Sequence, residues 1–274
     1  MNEFDKKCSF ISNGLDPELI AKQACFSYKN TMSRIFRAFS SMELSEGEDQ
    51  LVLDREESHH LGKVLRVQAG FSVEILDGKG SLAEAEITEV DRNAIRVKIL
   101  EQKSLPPPKP FIRIAVAMTK ANRWEEMIRP LTEMGVGHIT PLLTERTEVR
   151  FPTGKEMDKL VKWRKLAIEA CKQSGNPWLP VIDPPVRLEE LLRGKEEAAF
   201  IASLRSHRLK SLTDLKSPLS ESLLIIGPEG GWTEEEEGFA LENGAVPFYL
   251  GPNVLRTETA ALCALAVARV AFLD

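Results

Sequence analysis

The chain has few features that would anchor it by covalent or metal chemistry. Its four cysteines, Cys8, Cys25, Cys171 and Cys263, stand far apart, with no CxxC and no Cys/His spacing of the zinc kind. That pattern excludes a disulfide framework and a metal site, and reduced thiols in a cytoplasmic protein are the expected state. Long apolar runs are missing too. The longest, Ala260 to Ala268, stops at Arg269, well short of the roughly 20 residues a membrane helix needs. The first thirty residues lack the apolar stretch of a secretory signal. Excess positive charge is absent: the net charge is −5, so contact with nucleic acid has to be local. The common catalytic signatures are lacking as well. There is no GK[ST], GxGxxG, GxSxG or HExxH, and no acidic cluster for two metals. Phosphate-loop, dinucleotide and hydrolase chemistry therefore have no support.

What is present divides at a proline run. The 274 residues are 43% hydrophobic, enough for one large domain or two. Residues 1–31 match nothing that follows and read as an extension, a non-native start or a small helical cap. "MSRIFRAF" at Met32 reads like a fresh start leading into a strand, and from about Leu51 to Leu100 the pattern is β. "FSVEILDGKGSLAEAEITEV" holds two strand-like runs around Asp77-Gly78, a strong turn pair, and "AIRVKIL" alternates with period two. Short strands at this spacing suggest a small barrel. "HHLGKVLR" is the exception, because Leu61, Val64 and Leu65 share one helical face. "LPPPKP" at 105–110 is a stiff linker. Over 111–274, buried strand runs such as "FIRIAVAM" and "SLLIIG" alternate with helical stretches such as "NRWEEMIRPLTEMG". Pro130 is expected to kink that helix and Gly135 to stop it. This alternation predicts an α/β domain with a mostly parallel sheet.

Two loops stand out. "LLIIGPEGGWTEEE" is a strand, a glycine turn and a helix start, with Thr233 and Glu236 spaced as a capping box. Gly227, Gly230 and Gly231 allow a ligand to approach the backbone. Glu229 within the loop would repel a phosphate, so a neutral or cationic ligand suits it better. A turn serving topology alone is the competing reading. "LGPNVLRTETAALCALA" (250–266) also follows a strand and precedes a helix. The two loops are placed to form opposite walls of one pocket beyond the strand ends, facing a helix N-terminus. Arg256 and Glu258 either serve that pocket or pair with each other. The helix that follows is apolar nearly all round, which predicts burial on more than one side. His138 opens a strand and reads as structural; His207 lies in a basic, solvated loop.

"GPEGGWTEEE" followed by "LGPNVLRTETAALCALA" resembles the signature pair of the SPOUT methyltransferases. More narrowly, it resembles the ribosomal RNA small-subunit methyltransferase E family. "MSRIFRAF", "HHLGKVLR", "TEMGVGHITPLLTERT" and "WRKLAIEACKQSG" follow that family's blocks in order, so the resemblance runs from about Met32 to Phe272. It implies a PUA-like β-barrel at 32–104 and a trefoil-knotted α/β domain at 111–274. It also implies S-adenosylmethionine as cofactor, a homodimer, and 16S rRNA, within the 30S subunit, as the partner methylated at uridine N3. The implied donor pocket comprises Ser203, Leu204, Gly227, Pro228, Glu229, Gly230, Gly231, Leu250, Gly251, Val254, Leu255, Arg256 and Thr257. Arg256 and Glu258 are the implied catalytic residues. The implied RNA contacts are Arg34, His59, His60, Lys63 and Arg66 on the barrel, and Lys120, Arg123, Arg146 and Arg150 on the second domain. The chain departs from the family at Pro130, Asn176 and Asn253, where basic residues are common, and at Met134 in place of Leu. A SPOUT enzyme acting on a ribose 2′-hydroxyl and a non-catalytic RNA-binding protein of this fold are the alternatives. "HHLGKVLR" argues against the first, and the intact loop motifs against the second.

Overall fold

The computed structural model describes residues 35–272, apart from 46, 48, 92–93, 120–122, 148–155, 194–196, 206–208 and 216–220. The N-terminal extension, Arg34, Lys120, Arg150 and His207 lie outside the described residues.

The first sheet has five strands: β1 (Phe36–Phe39), β2 (Gln50–Val52), β3 (Ser72–Leu76), β4 (Ser81–Val90) and β5 (Ile95–Ser104), in the order β1-β3-β4-β5-β2. The turn expected at Asp77-Gly78 joins β3 to β4. It is tied by Asp77, whose Oδ1 accepts from the backbone N–H groups of Lys79 (2.8 Å) and Ser81 (3.0 Å). Register shifts at Glu84/Ala85 and Ile87/Glu89 interrupt the β4–β5 ladder, and such bulges bend and twist a sheet. The sheet surrounds one core that includes Val73, Ile75, Ile87, Ile95 and Val97. Leu61 plugs that core from the "HHLGKVLR" segment. The helix expected over this segment begins earlier and ends sooner: α1 (Arg55–His59), capped by Asp54, leads into a wider π-type turn over His60–Val64, and Leu65 and Arg66 lie beyond it.

The second sheet is parallel at every pairing. Its strands are β6 (Phe111–Ala117), β7 (His138–Leu143), β8 (Val181–Ile182), β10 (Ala198–Ala202), β11 (Lys210–Ser211), β12 (Glu221–Ile226) and β13 (Val246–Tyr249). Their order is β11-β13-β10-β12-β6-β7-β8, and β9 (Val186–Arg187) also pairs with β7. Both faces are covered, which explains the unbroken apolar runs. On β12, Leu224 and Ile226 face a core shared with α2 (Arg123–Glu133), α3 (Glu156–Ser174) and the last helix, α6 (Thr257–Ala271). Leu223 and Ile225 face the opposite core, with α4 (Leu188–Leu192) and α5 (Glu234–Glu242). Pro130 lies inside α2. Gly135 and Gly175 follow α2 and α3 with φ of 75° each, the left-handed geometry that ends helices. Ala261, Ala264 and Ala268 of α6 are fully buried; their small size lets the helix lie close on the sheet.

Helix α3 carries the first sheet. Its Trp163 packs on Trp124 of α2, with ring centroids 4.4 Å apart. At its other end Arg37 of β1 donates to the carbonyls of Lys172 (3.1 Å) and Gln173 (3.0 Å). A cation placed there answers the negative end of the helix dipole. Phe39, Leu76 and Leu82 meet Cys171 in a small apolar cluster, and burial pushes the Cys171 thiol up to about 12. Beside them Lys172 Nζ reaches Glu57 Oε1 at 2.7 Å, with both side chains 8% exposed. Burial raises the Glu57 carboxyl above its ordinary value despite the ammonium beside it. Burial acts to lower Lys172, but hydrogen bonds to Glu169 and Glu57 outweigh it and raise it.

Removing one member of a buried pair leaves the other charge stranded. Lys172→Met is expected to cost about 3 kcal/mol at pH 8, measured by urea unfolding. A stranded carboxyl has its folded pKa raised further above the unfolded value, so the folded state binds the extra proton and the loss shrinks at pH 5.5. Lys172→Met combined with Glu57→Leu recovers most of the stability at both pH values.

Candidate active site

Three neighbouring strands, β13, β10 and β12, end on the same side of the second sheet, and the loops that leave them surround a cleft. The loop after β10 contributes Ser203, Leu204 and Arg205; the loop after β12 contributes Gly227–Trp232; the loop after β13 contributes Leu250, Gly251, Asn253, Val254 and Leu255. Ile226, Phe248 and Ala260 line it with apolar surface, and Glu237 of α5 brings a carboxylate. Ligands of open α/β sheets bind at such carboxyl ends of strands.

Each loop is fixed by a bond from another. Thr257 Oγ1, at the first position of α6, donates to the Gly227 carbonyl at 3.0 Å. Trp232 Nε1 donates to the Ala202 carbonyl at 2.7 Å. The Ser203 hydroxyl donates to Glu237 Oε1 and accepts from the Arg205 backbone N–H. The expected capping box is present: Thr233 Oγ1 accepts from the Glu236 N–H, and Glu236 Oε2 accepts from the Thr233 N–H. The other Glu236 oxygen accepts from the Glu145 N–H at 2.8 Å, so this buried carboxylate also holds the turn that follows β7.

This geometry has known counterparts. The RNA methyltransferase domain family matches residues 107–269, and the RNA methyltransferase PUA domain family matches residues 53–100. The ribosomal RNA small subunit methyltransferase E of Synechocystis is 34% identical over 226 residues, 80% of this chain and 72% of that protein. The Mycobacterium bovis enzyme of the same name is 32% identical over 220 residues, 78% of this chain and 84% of that protein. Ribosomal RNA small subunit methyltransferase E from Neisseria gonorrhoeae, solved bound to S-adenosyl methionine, superimposes with a TM-score of 0.79 at 30% identity. That alignment covers 87% of this chain and 98% of the other. The chain belongs to the ribosomal RNA small subunit methyltransferase E family. The fold expected from the resemblance, a PUA-like unit joined to a SPOUT-type parallel α/β unit, is the fold of this methyltransferase.

Of the residues that the sequence nominates for the methyltransferase pocket, Ser203, Leu204, Gly227–Gly231, Leu250, Gly251, Val254, Leu255 and Thr257 line one cleft. Arg256 does not line it. It caps α6 with its backbone and leaves its side chain exposed. Arg256 and Glu258 form no ion pair with each other. Glu258 Oε2 is buried and has no hydrogen-bond partner among the described residues. The sequence reading missed Trp232 and Glu237. The tryptophan directly follows the glycines and signalled itself only by position; Glu237 was one of four consecutive glutamates with nothing to single it out. On the first sheet His59, Lys63 and Arg66 are exposed and His60 is half-buried. Arg66 adopts a left-handed φ of 57°. Arg123 and Arg146 both touch the glycine loop. Arg123 pairs with Glu229 at 2.8 Å, and Arg146 donates to the carbonyls of Gly230 and Trp232. His138 lies 3.7 Å from Asp183 and stacks edge-on against Phe111, a packing role.

The Trp232 ring leaves no room at Gly227. A Cβ there would stand 2.8 Å from the indole, whereas a Cβ at Gly251 would meet nothing within 4 Å. Gly227→Ala is expected to cost about 1–3 kcal/mol in urea unfolding through overpacking. Gly251→Ala should stay within about 0.5 kcal/mol of the parent.

Proposed function

We propose that the chain transfers a methyl group from S-adenosylmethionine to N3 of one uridine in 16S rRNA. The donor sits in the three-loop cleft. One observation carries this reading: the cleft is assembled at the strand ends of a fold that matches, over nearly its whole length, a relative solved with that donor bound. The lining fits such a molecule. Ile226, Phe248, Leu250 and Ala260 offer apolar surface to a base, and the Ser203–Glu237 pair offers polar groups to a sugar. The carboxylates Glu229 and Glu237 suit a cation better than a phosphate. When bound, S-adenosylmethionine supplies an electrophilic methyl group on sulfur.

The remaining work falls to the chain's own residues. Positioning the base for in-line attack provides a large share of the rate. The Arg256 guanidinium, at the rim where the loop becomes a helix, stabilises negative charge on the uracil carbonyl oxygens as the N3 proton leaves. Glu258, with a buried oxygen that has no partner among the described residues, accepts that proton; Glu229 is the second candidate. The target base must leave its stack to reach the cleft. His59, His60, Lys63 and Arg66, together with Arg34, grip the surrounding backbone, and phosphate contacts by such residues are salt-sensitive. Lys120 and Arg150 belong to the same proposal.

The active form is a homodimer. Val254 (75% exposed), Val270 (74%) and Leu204 (63%) leave apolar surface on the loops and on the outer side of α6, which a second copy would cover. A trefoil knot is part of the same reading. The Thr257–Gly227 bond holds the segment after β13 against the loop after β12, and α6 returns from there to the central strands.

Methylation of 30S particles and of naked 16S rRNA, with the product nucleoside identified, tests the proposal. N3-methyluridine at one position, formed faster on 30S, is expected; a ribose-methylated product or none would refute it. In the same assay Arg256→Ala is expected to lower turnover at least about 100-fold with little change in donor affinity. Near-normal turnover would remove Arg256 from the chemistry.

A further inference from the structure

The geometry points to Arg146 as a positioning residue for the methyl donor, one that shapes the glycine wall of the cleft from outside. This inference rests on the donor reading of the cleft. Arg146 sits in a tight turn closed by Thr144 and Thr147. Thr147 N–H donates to the Thr144 carbonyl at 3.0 Å, and their hydroxyls are 2.8 Å apart. The turn is anchored at Glu145, whose N–H donates to the buried Glu236. From this base one nitrogen of the guanidinium, Nη1, donates to Gly230 O at 2.8 Å and Trp232 O at 3.0 Å. The Arg146 methylenes lie over Gly230, where an added Cβ would meet them at 3.3 Å.

Those two carbonyls flank Gly231, where an added Cβ would find no neighbouring atom within 4 Å. Glu229 and Trp232 on either side are tied by Arg123 and by the Ala202 carbonyl; between them the Gly230–Gly231 backbone is held by the Arg146 bonds and by the loop's own Gly231 N–H to Pro228 O bond. Charge-assisted bonds are roughly twice as strong as neutral ones, and a wall held in its binding shape loses less freedom when the donor arrives. The same side chain, placed by sequence among the RNA contacts, is thereby committed to the loop.

Arg146→Met keeps the methylenes and removes the donors; Arg146→Lys keeps the charge. Calorimetry with S-adenosylmethionine, and kinetics on 30S particles, distinguish the roles. Arg146→Met is expected to weaken the donor about tenfold and to raise its KM by a similar factor, with kcat falling less. Arg146→Lys should recover part of the loss, and 30S affinity and its salt dependence should match the unaltered protein. Wild-type donor affinity in Arg146→Met overturns the inference, whether or not that variant melts earlier. So does a loss seen in 30S affinity with the slope of log K against log salt reduced by about one, the mark of a phosphate contact. If the unaltered protein fails to bind S-adenosylmethionine, it is the donor reading itself that falls.

Discussion

The hydrogen bond from Thr257 to the Gly227 carbonyl is the constraint on which the cleft depends. It joins the start of the last helix to the loop after β12, two segments 30 residues apart in the chain. Thr257 is 3% exposed and Gly227 half-buried, and leaving the buried threonine hydroxyl without this partner would be costly. The bond sets where α6 begins. The buried alanines further along set how closely the helix lies on the sheet. The join between a polar loop and an apolar helix at 250–266 is therefore a place where packing fixes the position of groups that packing alone would not hold.

Much of this fold was legible because it rests on periodicity and turn chemistry. Alternating strands and helices after the proline run, the Asp77-Gly78 turn and the Thr233–Glu236 box are all local patterns, and the structure has each of them. The walls of the cleft were legible for a different reason, through resemblance to a family whose loops have the same spelling. What could not be read were polar contacts between segments far apart in the chain. Arg146 and Gly230 are separated by 84 positions, Glu57 and Lys172 by 115. Neither pair leaves any mark on the local pattern. An isolated arginine beside a strand end looks like a phosphate contact until its acceptors are known. The π-type turn at His60–Val64 was likewise invisible, since its apolar spacing reads as an ordinary helix.

The two sheets use polar groups differently. Around the cleft, most polar side chains bind backbone, so each bond fixes a loop. At the junction of the first sheet with α3, Lys172 and Glu57 bury charge against charge, and Glu57 keeps one oxygen with no hydrogen-bond partner among the described residues. Such a pair adds little net stability, but it makes any other docking of the first sheet unfavourable, because a shifted interface would strand both ions.

Helix α3 gives this arrangement a further property. Its one tryptophan, Trp163, touches the helix whose first residue, Arg123, pairs with Glu229, while its last turn is gripped by Arg37 of β1 and Glu57 of α1. A helix advances about 1.5 Å and turns about 100° per residue. Inserting or deleting a single residue between Trp163 and Lys172 would therefore swing the docking face a quarter-turn away from its partners while hardly changing the distance. The helix acts as a keyed shaft: side chains can vary along it, but its count of residues cannot.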